Sequence, residues 1–329
     1  MVIFDEMQFY NVTALVEKPG LPGWVLQRFP DYARESVNRD VADMCRSVEI
    51  RFCTDEKQMT CGSGAVYLLA RSTDAEAVVF YGDYQATSVV SLPAGVITAV
   101  PVRFPQVLKN MPQGRFPNRL CRIFINSRSM VSYVGKEWIP CRPPRADEQP
   151  EKVLVGYGSS ITHGGVARSN CNCYLQLAAR VLGMDALNLG LSGSCNASHE
   201  MADFMANDVK GDVFFLELGA NMYGAGVEPD DYEQRVRYML ETVARAHADK
   251  PVLAMALYPW EKVMERDSEY AKRLHKVIDE LNLPNLHEVH GWDLLPDFTG
   301  LAADALHPSD WGHMMIAQNL AQEIRKYVK

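Results

Sequence analysis

Two patterns of hydrophobic and polar positions divide the chain. Up to about residue 148, short runs rich in Val, Ile, Phe and Tyr recur at 47–55, 64–73, 77–84, 95–104 and 120–127. Gly, Pro, Asp and Asn separate them, and no long helical period intervenes. Short strands at regular spacing predict a β-sandwich or jelly roll. The stretch CRPPRADEQPEK, 141–152, then mixes prolines with charges, as an exposed linker does. Beyond it, apolar runs alternate with amphipathic ones. KVLVGYG, DALNLG, DVFFLELGA, PVLAMALYP and LHEVHGWDLL read as five strands. Between and after them, CYLQLAARVLG (closed by Gly183), SHEMADFMA, DDYEQRVRYMLETVARAHA, EYAKRLHKVIDELN and SDWGHMMIAQNLAQEIRKYV read as helices. Such alternation predicts an α/β domain with a parallel sheet covered on both faces. The expected domains are therefore 1–148 and 149–329. In parallel sheets ligands gather beyond the carboxyl ends of the strands, which puts the loops around Ser160, Gly193, Asn221 and Tyr258 on one rim.

Composition narrows the classes without choosing among them. A chain of 329 residues has room for one or two domains with real cores. Its net charge of −8 supplies no basic face, so nucleic acid is not an expected partner. No apolar stretch reaches the length of a membrane span. The first residues, MVIFDEMQFYNVTALVEKPG, carry acids early and lack the basic start and long apolar core of a signal peptide, which predicts a cytoplasmic location. The eight cysteines, 45, 53, 61, 121, 141, 171, 173 and 195, are scattered and read as reduced thiols. Cys171 and Cys173, with one residue between them, match neither a redox pair nor a zinc knuckle. His287 and His290 would point to opposite faces of a strand. No metal site or cofactor is expected.

Chemistry concentrates at VLVGYGSSITHGG, 153–165, an apolar run ending in small and hydroxyl residues. It has three readings: a phosphate cradle, a nucleophile turn, or only a turn. Ile161 stands where a dinucleotide loop needs its third glycine, and no Gly-Lys-Ser/Thr occurs. Thr162 likewise breaks Gly-x-Ser-x-Gly, so an α/β-hydrolase elbow is not supported. A serine at a strand-to-helix turn can still attack a carbonyl if a base takes its proton and donors meet the oxyanion. Those partners occur in order at later strand ends. NLGLSGS offers the N–H of Gly193, ELGANM offers the Asn221 amide, and DALHPSDWGH holds Asp304 and His307 three residues apart. An aspartate so placed can orient an imidazole and stabilise its protonated form.

In these four blocks residues 152–328 resemble an SGNH (GDSL-type) hydrolase. Gly158-Ser159-Ser160 matches Gly-Asp-Ser, Gly193 the second block's glycine, Gly219-Ala220-Asn221 the Gly-x-Asn, and Asp304 and His307 the Asp-x-x-His. The resemblance implies a flavodoxin-like three-layer α/β/α domain and hydrolysis through an acyl-serine. It makes Ser160 the nucleophile, His307 the base and then acid, and Asp304 its support. The oxyanion hole would comprise the N–H groups of Ser160 and Gly193 with the Asn221 amide. Two positions depart from the pattern: Ser159 and Met222 each stand where an aspartate is usual. The β-rich first domain is similar to the sandwich that precedes the catalytic domain in some carbohydrate-active members.

Lesser candidates surround this core. His163 either lines the pocket or makes a hydrogen bond at a helix start, and His313 lies within the last helix as packing or surface. Tyr223, Tyr258 and Trp260 follow strand ends, as an aromatic wall for substrate or as packing. Trp24, Tyr81 and Tyr84 form a sugar platform or part of the sandwich core. The expected activity is a serine esterase acting on small acyl esters, acetylated carbohydrate foremost. A lysophospholipase or thioesterase on lipid acyl esters, or a non-catalytic carbohydrate-binding protein, are the alternatives. The substrate partner is a small molecule or carbohydrate ester, and no oligomeric state follows from the sequence.

Overall fold

The computed structural model describes residues 1–54, 63–137 and 140–328. Asp55, at the end of an expected strand, and Cys61 lie outside the described residues. The chain forms two compact units, one of residues 1–30 and 39–151, the other of residues 31–38 and 152 onward. The sequence pattern places 31–38 in the first domain and 149–151 in the second; the compact units place both the other way.

The strands of the first unit are β1 (Val2–Phe4), β2 (Met7–Tyr10), β3 (Ala14–Val16), β4 (Trp24–Gln27), β5 (Arg46–Cys53), β6 (Ser63–Ala70), β7 (Ala75–Tyr81), β8 (Tyr84–Leu92), β9 (Ile97–Arg103), β10 (Leu120–Asn126) and β11 (Val131–Glu137). They make two antiparallel sheets, β1-β2-β5-β10-β7-β8 and β3-β4-β11-β6-β9. Phe9, Ile50, Phe52 and Ile123 from one sheet and Leu26, Leu68, Val100 and Tyr133 from the other share a single buried cluster. That is a sandwich: each sheet covers the apolar face of the other. Tyr81 is buried in this core, and Trp24 packs on Phe4 with ring centroids 4.6 Å apart. Tyr84 packs against the same cluster and donates its hydroxyl to Pro112 O. All three are used in packing.

The second unit holds β12 (Val153–Tyr157), β13 (Asp185–Asn188), β14 (Val213–Glu217), β15 (Val252–Met255) and β16 (Leu286–Glu288). They are parallel throughout, in the order β13-β12-β14-β15-β16. This is the flavodoxin-like order, and its crevice opens where β12 and β14 end side by side. The helices Tyr174–Leu182, His199–Asn207, Pro229–Ala246, Glu269–Leu281 and Asp310–Ile324 fall where the amphipathic runs put them. Their ends follow local chemistry. Ser198, Ser268 and Ser309 accept the N–H of Met201, Ala271 and Gly312, and Gly183 closes its helix at φ 72°. The run LHEVHGWDLL is strand only to Glu288, because Gly291 opens a helical turn. A Cβ at Gly291 would collide with Leu257 O, so the chain turns there against the end of β15. No helix among the described residues is long and apolar enough to cross a membrane.

Residues 31–38 reach this unit from the sandwich sequence. Tyr32 donates to Asp208 (2.7 Å), Ser36 and Ser198 hydroxyls lie 2.8 Å apart, and Asn38 N–H donates to Ser194 Oγ (2.8 Å). The segment is thereby tied to the loop that follows β13 and to both ends of the helix His199–Asn207.

Candidate active site

The run VLVGY of β12 is held between β13 and β14, so the chain leaves the sheet at Gly158 in the crevice. Only glycine fits there, since a Cβ would collide with Thr162 Oγ1 and Glu217 Oε2. The chain then coils tightly. His163 N–H donates to Ser159 O (3.0 Å), Gly164 N–H to Ile161 O (3.1 Å) and Gly165 N–H to Ser160 O (2.6 Å). This turn gives the adjacent serines opposite fates. Ser159 is fully buried, and its Oγ donates to Glu217 Oε2 at 2.7 Å. Ser160 Oγ lies 2.8 Å from His307 Nε2.

His307 is presented by the loop before the last helix. Its Nδ1 lies 2.7 Å from Asp304 Oδ2, while Asp304 Oδ1 accepts the N–H groups of Leu306 (3.1 Å) and His307 (3.0 Å). Partial burial pushes the Asp304 carboxyl up. The hydrogen bonds from His307 and Leu306 outweigh it, leaving the group below its ordinary value. The carboxylate is thus ionised and fixes the Nδ1–H tautomer, which turns the Nε2 lone pair to the Ser160 hydroxyl. Across the ring stands Gly165, where a Cβ would come 2.9 Å from His307 Cδ2.

The other two blocks close around the same turn. Leu191 N–H donates to Gly158 O (2.8 Å), and Asn188 Nδ2 donates to Thr162 O (2.7 Å). Gly193 follows at φ 70°, a left-handed conformation that glycine adopts without strain. Asn221, just past β14, accepts Cys195 N–H on Oδ1 at 3.0 Å. With the oxygen so held, the amide keeps its N–H groups for another acceptor. Ser160, His307 and Asp304 are therefore in line, and Asn221 is tied to Cys195, two residues past Gly193.

Several lesser expectations need correction. His163 is fully buried, with Nδ1 2.9 Å from Ser192 Oγ, because Gly190 lets the next loop press onto its backbone. It braces two loops and does not line a pocket. Tyr258 is buried in the core beside Tyr174, so it forms no wall. Trp260 is buried as well, and Tyr223 meets it edge-on at 5.9 Å while donating to Lys262 O. Met222, in place of an acid, points into the interior. His313 is packing, as one of its two readings has it, and also a brace: Nδ1 accepts Tyr174 N–H (3.3 Å) and Nε2 faces Gly165 O (3.2 Å). Burial holds it neutral, with its pKa lowered to about 4. Nothing in its helical position signals that bond to the turn. Glu217 did leave a signal, an acid flanked by apolar residues within the run VFFLELGA.

A flavodoxin-like sheet with a serine, histidine and aspartate in line beyond its carboxyl ends defines an ester hydrolase of the SGNH class. Residues 151–325, just over half of the chain, match the model of the GDSL-like lipase/acylhydrolase family, and the chain belongs to that family. No curated protein matches it by sequence. Among solved structures, it is similar to the salicylyl-acyltransferase SsfX3 from a tetracycline biosynthetic pathway, with TM-score 0.79 and 17% identity over 98% of this chain and 95% of that one. A putative GDSL-like lipase from Bacteroides ovatus gives TM-score 0.65 and 19% identity over 98% and 95%. A family two carbohydrate esterase from Clostridium thermocellum, in complex with cellohexaose, gives 0.61 and 15% over 88% and 97%. All three share the fold through both units.

Proposed function

We propose that the protein is a serine esterase that forms an acyl-Ser160 intermediate and removes small acyl groups, acetyl foremost, from acylated carbohydrate. The observation that carries the reading is the in-line pair of contacts, Ser160 Oγ to His307 Nε2 at 2.8 Å and His307 Nδ1 to Asp304 Oδ2 at 2.7 Å. In the first step Nε2 takes the Ser160 proton as Oγ attacks the ester carbonyl. The N–H groups of Ser160 and Gly193 and the Asn221 amide receive the negative charge on the carbonyl oxygen. The tetrahedral adduct then collapses, the alcohol leaves with the proton from Nε2, and water repeats the sequence on the acyl-serine. The substrate class draws support from the carbohydrate esterase architecture that spans both units. The salicylyl-acyltransferase likeness favours a second reading, in which a hydroxyl acceptor replaces water at the second step.

Rates with acetyl, butyryl and octanoyl p-nitrophenyl esters, beside acetylated oligosaccharides, test the substrate class. The expected order is acetyl fastest among the simple esters, with acetate released from the oligosaccharide. An octanoyl optimum without carbohydrate deacetylation would favour the lipid reading. Asn221→Ala is expected to lower kcat by about 10²–10³-fold with little change in KM, as removal of one oxyanion donor does. A parallel rise in KM at unchanged kcat would assign Asn221 to substrate binding instead.

A further inference from the structure

Position 159 lacks the usual acid, yet a carboxyl reaches the same turn from another strand. Glu217 ends β14 and is fully buried. Its Oε2 accepts the N–H of Ser159 (2.7 Å), the hydroxyl of Ser159 (2.7 Å) and the hydroxyl of Thr162 (3.0 Å). Ser159 Oγ in turn accepts the N–H of Ile161 at 3.1 Å. One carboxyl oxygen thus grips the turn on both sides of Ser160, at residues 159 and 162. Glycine at 158 lets that oxygen pass, since a Cβ there would strike it. Glu217 Oε1 is buried with no hydrogen-bond partner.

We propose that Glu217 is the positioning residue of the nucleophile, its carboxyl supplied from β14 in place of the acid missing at 159. The inference rests on Ser160 being the nucleophile, as proposed above. Glu217 touches neither substrate nor the reacting atoms; it acts through the turn. Misplacing a reacting group by as little as 1 Å costs on the order of 10²-fold in rate. The hydroxyl at 159 is then the adaptor, passing the hold of Glu217 on to Ile161 N–H.

The surroundings of Glu217 add a pH signature. Facing it are Tyr157 of β12, Cys195 from the loop after β13, Tyr174 and Tyr232 from two helices, and Tyr258 after β15. Burial raises the pKa of each, so none is charged at neutral pH and none is a cation. Burial pushes the Glu217 carboxyl up to about 7, against the pull of the hydrogen bonds from Ser159 and Thr162. Its folded value lies above its ordinary one of 4.5, so the stability linked to it is full below that value and declines as pH rises to about 7. Above pH 7 the ionised carboxyl also opposes the negative charge that grows beside Ser160 N–H.

The test compares Glu217→Ala and Glu217→Gln with the wild type. It reads kcat and KM on p-nitrophenyl acetate from pH 5 to 9, with the rate of Ser160 labelling by a fluorophosphonate. Glu217→Ala is expected to lose on the order of 10² in kcat, with labelling slowed in parallel and KM little changed. Glu217→Gln, whose amide oxygen can accept the same bonds, is expected to recover most of that loss. It should also lack the wild type's fall in kcat as pH rises through about 7. Wild-type kcat and labelling in a folded Glu217→Ala, or a wild-type pH profile in Glu217→Gln, would overturn the proposal. Should the alanine variant not fold, the glutamine profile decides alone. Absence of Ser160 labelling in the wild type would remove the nucleophile assignment itself, an outcome distinct from either.

Discussion

Ser160→Ala is expected to lower kcat on p-nitrophenyl acetate by on the order of 10⁴–10⁶-fold while the protein stays folded. The size follows from what the substitution removes. Without Oγ no acyl-serine forms, and water would have to attack at the same point with only the oxyanion donors and binding to help it. The neighbouring hydroxyl cannot take over. Ser159 is fully buried, and its Oγ donates to Glu217 at 2.7 Å, turned away from His307. Reaching the imidazole would break that bond, the one from Ile161 N–H, and the turn they hold together. A fluorophosphonate should therefore label Ser160, read by mass spectrometry of the tryptic peptide. Labelling at Ser159, or full activity in Ser160→Ala, would sink the mechanism.

The twin serines also show how far the sequence could be read. The parallel domain is legible because its central strands, β12, β14 and β15, are largely apolar runs that alternate with amphipathic helices. The triad was legible because its members sit at strand ends in a fixed order. In the sandwich, β5, β6, β7, β9 and β10 are legible as runs of Val, Ile and aromatic residues, and the remaining strands are not. β8, an edge strand, exposes most of YQATSVVSL, and β1 to β4 are three or four residues each, too short for a pattern. Side-chain roles that depend on distant partners stayed hidden. His163 and Tyr258 look like rim residues by position, but the loops packed on them put both in the interior. The docking of 31–38 on the loop after β13 leaves no local trace either, being set by single hydrogen bonds such as Asn38 N–H to Ser194 Oγ. The absent acid at 159 is visible; Glu217 shows only as an acid within the apolar run of β14, and its link to the turn does not show. Glu217 lies 58 residues further on, and only the pairing of β12 with β14 brings it beneath the turn.

Asp304→Asn should cost kcat about 10³–10⁴-fold with little change in KM, because it alters a tautomer rather than a contact. Asp304 accepts on both oxygens: Oδ2 faces His307 Nδ1 at 2.7 Å, and Oδ1 takes two backbone N–H groups. An asparagine has a single oxygen for these roles. Keeping it on the backbone pair presents the NH₂ to Nδ1, which must then accept and lose its proton. The proton moves to Nε2, and the imidazole meets Ser160 as a donor when it needs a lone pair. The lost charge adds to this, since the imidazolium formed during attack no longer has an anion behind it. The loss should be steepest near neutral pH and ease as pH rises, because hydroxide can then share the base's role. Asp304 is half-exposed, so water can stand in for part of its function, which places the expected loss below that of Ser160→Ala. Initial rates from pH 6 to 10 check this. A uniform loss below tenfold would mean that Asp304 only shapes the loop through Oδ1, and that His307 is oriented by something else.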